Sequence, residues 1–568
     1  MEKKVWLQHY THGVPDTINP DSFSSLTHLF EKYAGEFADR PAYTSFGVSL
    51  TYQETKVLTH QFAAFLQQEL KLKKGVRVAI MMPNILQYPV AIFGILKAGM
   101  IVVNVNPLYT APELAFQLED SGAEAIIVLE TFADRLEMAL PKTAVKHVII
   151  SKIGDLLGLM KGSIYNFMAR YVKGTVPDYN LPDAIYFKEA LSLGKKFSVD
   201  DPQTVNTDIA FFQYTGGTTG RSKAAMLTHR NIIANVLQCV VWIRDTKSQY
   251  HGVMLGALPL YHIFSLTVCG MCIFPMGAST LLIPNPRDTK GMIKMIRHCK
   301  MTMVIGLNTL FNSMVSHPDF KKVDFSRLNL TMSGGMSMQR VVAERWQEMT
   351  GVPVLEGYGL TETSPVITMN PANTIHFTGS VGIPIPSTDI IIRDEDRQDL
   401  PFNKIGEIWA RGPQIMKGYW KCDTETHDVM DDRGWLRTGD IGYMDERGFV
   451  FIVDRKKDMV LVSGFNVYPN EVEAVIAAHS GVQTVAVIGV PNEKTGEALK
   501  AFIVKRDPNL TKAELTAHCR KSLTGYKIPR FFEFRDSLPL SNVGKVLRRE
   551  LRDQEAQRSA VTADSHSR

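Results

Sequence analysis

Seven short apolar runs recur between stretches of helical periodicity: Val76 to Met82, Met100 to Val105, Ala123 to Leu129, His147 to Ile150, Ile209 to Phe212, Val253 to Leu258 and Met301 to Ile305. Such runs are too short for buried helices, and their near-continuous apolar character means that both faces are covered. Strands of this kind alternating with helices predict a layered α/β architecture with largely parallel sheets. After about residue 370 the pattern shifts to short alternating strands and Gly/Pro turns, as in Ile405-Gly-Glu-Ile-Trp409 and Gly448-Phe-Val-Phe-Ile-Val453, which predicts a β-rich subdomain. Past the charged cluster Asp454-Arg-Lys-Lys-Asp458 come a helical stretch (Glu471 to Ala478), two strand-like runs (Val482 to Val490, Ala498 to Lys505) and a helix from about Lys512. The expected organisation is therefore a large N-terminal domain over residues 1–453 and a small, mobile α+β domain over 454–568. The polar tail from about Gln554 is expected to be disordered.

Composition excludes several classes. The 63 Lys+Arg against 58 Asp+Glu leave a net charge of +5 over 568 residues, too balanced to argue for nucleic acid as a partner. The N-terminus carries no apolar core of signal-peptide length. The uncharged stretch from Ile263 to Pro286 reaches membrane-spanning length. Pro275, Gly277 and the strand-like Ser279-Thr-Leu-Leu-Ile283 instead predict a buried helix, a turn and a buried strand. Six scattered cysteines, with no His/Cys set for zinc, are read as reduced and buried, which suits a cytoplasmic location.

The segment Tyr214-Thr-Gly-Gly-Thr-Thr-Gly-Arg-Ser-Lys223 follows an apolar strand and precedes a periodic stretch beginning near Thr228, a strand, loop and helix in that order. Gly216, Gly217 and Gly220 let backbone N–H groups turn toward an anion, Thr215, Thr218 and Thr219 add hydroxyl donors, and Lys223 supplies a positive charge. The spacing is not that of the P-loop NTPases, because the lysine stands three residues past Gly220 and is followed by Ala224.

Other constellations suit a nucleoside triphosphate. Glu356-Gly-Tyr-Gly-Leu-Thr-Glu362 gathers an aromatic ring, glycines, a hydroxyl and a carboxylate, so Tyr358 could stack on a base and Glu362 could hold Mg²⁺. Arg437-Thr-Gly-Asp440 offers a carboxylate able to accept two ribose hydroxyls. Asp454-Arg455 opens the domain junction, Val462-Ser-Gly-Phe-Asn466 sets a glycine in an apolar stretch, and Ser541-Asn-Val-Gly-Lys545 carries a lysine near the C-terminus.

In this order, these motifs resemble the adenylate-forming superfamily of acyl-CoA synthetases, luciferases and peptide-synthetase adenylation domains. Pro259-Leu-Tyr-His-Ile-Phe264, Val462 to Pro469 and Thr524-Gly-Tyr-Lys-Ile-Pro529 are most similar to bacterial long-chain fatty-acid–CoA ligases. The resemblance implies that fold and a two-step ligation using ATP, Mg²⁺ and coenzyme A. It implies Lys545 as catalytic lysine, with Glu362, Thr218 and Lys223 assisting, and Thr218 and Glu362 as metal ligands. Thr215 to Gly220, Lys223, Gly335, Glu356, Gly357, Tyr358, Gly359, Thr361, Asp440, Arg455 and Lys545 would hold the nucleotide. His262, Phe264 and Gly334 would border the acyl pocket, Ser463, Gly464 and Phe465 the coenzyme A side, and Asp454 would be the hinge. Ala224 departs from the glycine common there in relatives, a methyl that is tolerated if φ is negative or else slows closure of the loop on phosphate.

A fatty acid partitions into bilayers, so the segment Lys152 to Lys173, with four basic side chains, one acid and Leu156, Leu157, Met160, Ile164, Phe167 and Met168, is a candidate for a membrane-surface helix on the cytoplasmic side of the inner membrane. The competing reading is a helix packed on its own domain. Medium-chain ligation, an activity that stops at acyl-AMP, a non-catalytic sensor and a homodimer remain open at this point.

Overall fold

A computed structural model describes residues 4–215, 222–243, 252–297, 299–492, 494–541 and 544–566, with side chains as far as Arg558. All seven apolar runs form strands, at Arg77–Met81, Ile101–Asn104, Ala125–Leu129, His147–Ser151, Ile209–Tyr214, Val253–Gly256 and Met303–Gly306. They are divided between two large sheets whose central strands run parallel. One sheet has eight strands and holds Ile209–Tyr214; the other has nine and holds Leu330–Ser333 beside Val354–Gly359.

Between the sheets lies one contiguous apolar core. The helix Gln87–Lys97 is buried from Gln87 through Leu96, as expected of a helix apolar on every side. It packs closely on the helix Tyr52–Ala64, where Phe62 lies against Gly94. The stretch Ile263 to Pro286 is a helix (Ile263–Val268), a short second helix (Ile273–Met276) and a buried strand (Ser279–Leu282), and no described helix is long and apolar enough to cross a membrane.

The strands Asp389–Arg393, Gly406–Arg411, Leu436–Met444 and Val450–Arg455 form an antiparallel sheet, the β-rich portion. Beyond it, a five-stranded sheet with the helices Pro469–Ala477 and Lys512–Arg520 encloses two apolar clusters drawn only from residues between Val460 and Leu551. The fold is thus α/β with a separate C-terminal α+β portion.

Three expectations are corrected. The helix expected from near Thr228 is there, as His229–Trp242, but a strand not expected from the sequence, Ala224–Thr228, stands between it and the glycine-rich segment and pairs antiparallel with Ile209–Tyr214. Two adjacent alanines give no strand signal, and burial in the sheet decides their conformation. The tail is helical rather than disordered, in Arg548–His566, because its Arg, Glu, Gln and Ala residues are good helix formers and Glu555 pairs with Lys500 at 2.7 Å. All six cysteines are free, yet Cys299 and Cys422 are only half-buried, since both lie just beyond helix termini.

Candidate active site

The hairpin closing at Tyr214 and Ala224 sets the edge of the site. Thr215 N–H donates to the Lys223 carbonyl at 2.9 Å, and the Ser222 hydroxyl donates to the Thr215 carbonyl. Gly216, Gly217, Thr218, Thr219 and Gly220 lie outside the described residues. Ala224 occupies extended, buried strand backbone, so its methyl is accommodated. The two-residue strand Gly418–Tyr419 pairs with Ala225 and Met226 and brings Tyr419 beside the hairpin mouth. The Lys223 ammonium stands 5.4 Å from the centre of the Tyr419 ring and 3.7 Å from Glu425.

Tyr419 joins Lys223 to Glu362. Its hydroxyl donates to Glu362 Oε1 at 2.6 Å, and the Met416 N–H donates to the Glu362 carbonyl at 2.8 Å. Burial, then the carboxylate, push the Tyr419 phenol well above its ordinary range, so the proton stays on the donor. Glu362 and Thr361 lie in a short 3₁₀ turn, Thr361–Thr363, directly after the strand Val354–Gly359. Only glycine fits at Gly359, where a Cβ would stand 1.9 Å from the Pro365 carbonyl oxygen. This close return fixes the direction in which the Glu362 turn leaves the sheet.

On the same strand, the Tyr358 hydroxyl donates to Asp440 Oδ2 at 2.6 Å, while Arg455 Nε lies 3.5 Å from Asp440 Oδ1. Asp440 and Arg455 are direct cross-strand partners in the antiparallel sheet. Glu356, two residues earlier, is buried. It accepts from the Met338 N–H at 3.3 Å, and its second oxygen has no partner. Desolvation pushes its carboxyl up to about 8. It is therefore a neutral strand residue near pH 7, beside Gly357 and paired in register with Ser333 on the neighbouring strand.

Gly334 and Gly335 follow Ser333 at the end of the neighbouring strand. The Gly334 position faces the Phe264 ring and the Gly357 carbonyl, and Gly335 faces Leu307. His262 caps the helix that begins at Ile263 and so belongs to the same wall. Burial and then the positive charge of Lys545 push its imidazole down to about 4.

Lys545 reaches this wall from a turn closed by Ser541, whose N–H donates to the Lys545 carbonyl at 2.7 Å and whose Oγ accepts from the Lys545 N–H at 3.0 Å. Gly544, at φ +83°, lies so close to the helix Asn308–Ser316 that a Cβ would stand 2.6 Å from Thr309 Oγ1. The lysine ammonium is desolvated and faces Arg455 and Asp440. Burial first, and then the Arg455 charge, push it down to about 7.

The junction is held by a buried ion network. Asp454 is fully buried, accepts from the Arg455 and Asn470 N–H groups at 2.8 Å, and pairs with Arg548 at 3.3 Å. Arg548 also binds Asp458 at 3.4 Å and Glu473 at 2.8 Å. The guanidinium three residues after Lys545 is therefore fixed to the hinge candidate. Ser463, Gly464 and Phe465 form the exposed tip of a hairpin, with Gly464 facing open space and Phe465 stacked on Tyr526 at 4.8 Å. They are not brought to the group around Lys545.

Residues from stretches far apart in the sequence thus converge where a nucleotide and a second acid could meet: a cationic loop edge, a carboxylate for a divalent cation, a second carboxylate and a buried lysine. A cavity of about 460 Å³ lined by Asn329, Thr331, Gln347, Pro353 and His376 lies instead at the starts of the strands, away from this group. Comparison with known proteins decides the kinship. The AMP-binding enzyme family matches residues 30–420, and the AMP-binding enzyme C-terminal domain matches residues 471–545.

The chain belongs to the AMP-binding enzyme family.

It is similar to the long-chain-fatty-acid–CoA ligases of Yersinia pestis (53% identical, covering 97% of this chain and 98% of that protein) and Escherichia coli (52%, covering 97% and 98%). In fold it is similar to the anthranilate CoA ligase AuaEII, solved with anthranoyl-AMP, at a TM-score of 0.84 and 23% identity, over 96% of this chain and all of the other. Tyr419 and Arg548 escaped the sequence reading. A two-residue strand has no periodicity, and Arg548 acquires its role only through contacts distant in sequence. Only the position of Arg548, three residues after Lys545, offered a signal.

Proposed function

We propose that this protein is a cytoplasmic long-chain fatty-acid–CoA ligase that divides its chemistry between a body, residues 1–453, and a C-terminal domain, residues 454–568. The observation that carries the reading is the desolvated Lys545 facing Asp440, Arg455 and His262 while its turn rests on Thr309. A fatty carboxylate oxygen attacks the α-phosphorus of ATP, the bond to the pyrophosphate oxygen breaks, and acyl-AMP forms. The thiolate sulfur of coenzyme A then attacks the acyl carbon, and AMP leaves with the electron pair of the broken C–O bond.

In the first step two anions approach each other, so a cation at the reacting oxygens lowers the barrier. Lys545 fills that role, bridging acyl and α-phosphate oxygens, while Lys223 and the loop Thr215 to Gly220 hold the outer phosphates. Asp440 and Arg455 grip the ribose, and Tyr358 packs on adenine. Glu362 and Thr218 would hold Mg²⁺, which when bound offsets charge on the departing pyrophosphate. The one Glu362 oxygen left without a protein partner among the described residues suits an ion that takes one or two protein oxygens and completes its shell with phosphate and water. His262, Phe264 and Gly334 border the acyl group, and peripheral contact with a membrane surface gives access to such acids. Rotation about Asp454 would bring Ser463, Gly464 and Phe465 to the thiol.

A panel of acids from hexanoate to octadecanoate, with AMP and thioester followed together, tests this. Equal amounts of AMP and thioester, rising toward the longer acids, are expected. A preference for acetate or aromatic acids, or AMP without thioester, would contradict it.

A further inference from the structure

The helix Leu159–Phe167, continued by the wider turn Met168–Val172, is turned inside out. Leu159, Met160, Ile164, Phe167, Tyr171 and Val172 are 52 to 86% exposed. The spacing of 160, 164, 167 and 171 places them along one helical stripe. The opposite side is seated on the body. Gly162 is buried against Gly154, where a Cβ on either would lie within 2.3 Å of the other's carbonyl oxygen. Asn166 Oδ1 accepts from the Gly154 N–H at 2.8 Å, the Tyr165 ring meets Phe46 at 4.8 Å, and the Lys161 ammonium donates to the Phe46 carbonyl. The helix is therefore packed on its own domain, as the competing expectation had it, but through the side of Gly162, Tyr165 and Asn166, which leaves the apolar stripe outward.

We propose that this stripe docks on an anionic lipid bilayer, entering the headgroup layer with the helix axis parallel to the surface. Two observations favour lipid over a protein partner. Between Asp155, which is buried, and Asp178 the segment contains no acid, while Lys173 is exposed just past the stripe and Arg170, partly exposed, pairs with Glu130 at 3.2 Å. The stripe is also interfacial in chemistry, aliphatic and sulfur side chains beside a Phe167–Tyr171 ring pair 5.1 Å apart. The choice of a bilayer further rests on the fatty-acid reading above, since the acid substrate is itself held in that phase.

Flotation of the full-length protein with phosphatidylglycerol–phosphatidylethanolamine vesicles tests the surface. The wild type is expected to float, less so at high salt or with neutral phosphatidylcholine vesicles. The double variant I164D/F167D is expected to lose at least tenfold of its vesicle-bound fraction. The variant's melting temperature and its AMP formation from soluble laurate are expected to stay at wild-type values, because neither side chain supports the core. Unchanged flotation of the variant, or a wild type that does not float, would overturn the proposal. Concentration-dependent self-association lost in the variant, without flotation, would assign the stripe to a second copy and also overturn it. If no acid yields AMP, the ligase reading fails on that measurement alone, while flotation still reports on the surface.

Discussion

Three side chains carry testable chemistry at the scale of single residues. Lys545, pushed down to about 7, is charged below that pH in the free enzyme and neutral above it. In the proposed role adenylation needs the cation, so kcat/KM for ATP in the pyrophosphate-exchange reaction is expected to fall as pH rises through about 7. The limb for kcat should lie at higher pH, because bound phosphates raise the lysine's affinity for its proton. In K545R the limb should vanish from the range pH 6 to 9, since a guanidinium stays charged. Tyr419→Phe removes a hydrogen bond to a charged group, and a loss of roughly tenfold to a hundredfold in adenylation is expected in single-turnover assays, with coenzyme A transfer unchanged. Glu356 has an ordinary value of 4.5 and a folded value of about 8, so folding takes up a proton between these values. Ionisation therefore opposes folding increasingly as pH rises from about 4.5, and fully above about 8. E356Q, neutral and similar in shape, should gain melting temperature over the wild type at pH 9 relative to pH 5. An equal difference at both pH values would contradict the buried neutral carboxyl.

At the scale of elements, the ion network around Arg548 ties the helix Arg548–His566 to Asp454, Asp458 and Glu473. R548A would take a partner from the fully buried Asp454 and from the half-buried Asp458 and Glu473, Asp458 keeping Arg552, and removing one member of a buried pair costs about 3–5 kcal/mol. Urea denaturation followed by a probe in the C-terminal portion is expected to show a loss of that order. What the sequence disclosed follows the same division. The seven apolar runs were readable as strands because parallel strands buried on both faces need nothing but apolar residues. The strand Ala224–Thr228 was not, because its alanines favour helix and only pairing with Ile209–Tyr214 makes them extended. Asp440 and Arg455 could be picked out by motif, but their register as cross-strand partners, and the Tyr358 hydroxyl between strand and sheet, are long-range facts with no local signal. The outward stripe on Leu159–Phe167 was legible as an amphipathic pattern, whereas the side it presents depended on the Gly154–Gly162 contact.

At the scale of the whole molecule, the C-terminal portion has its own apolar clusters yet sends the Lys545 turn onto the body, where Gly544 meets Thr309. On the proposed function this arrangement would serve acyl-AMP formation, and the exposed hairpin tip at Ser463 and Gly464 would serve the second step after a rotation at Asp454. A substituted Gly544 should hinder the first step for steric reasons, but the lysine itself gives the cleaner test. The decisive measurement is the pair of half-reactions in K545A, pyrophosphate exchange with fatty acid and ATP on one side, and thioester formation from supplied acyl-AMP and coenzyme A on the other. Loss of exchange by at least a thousandfold with thioester formation largely intact is the predicted result. Equal loss in both half-reactions, or exchange that survives, would contradict it.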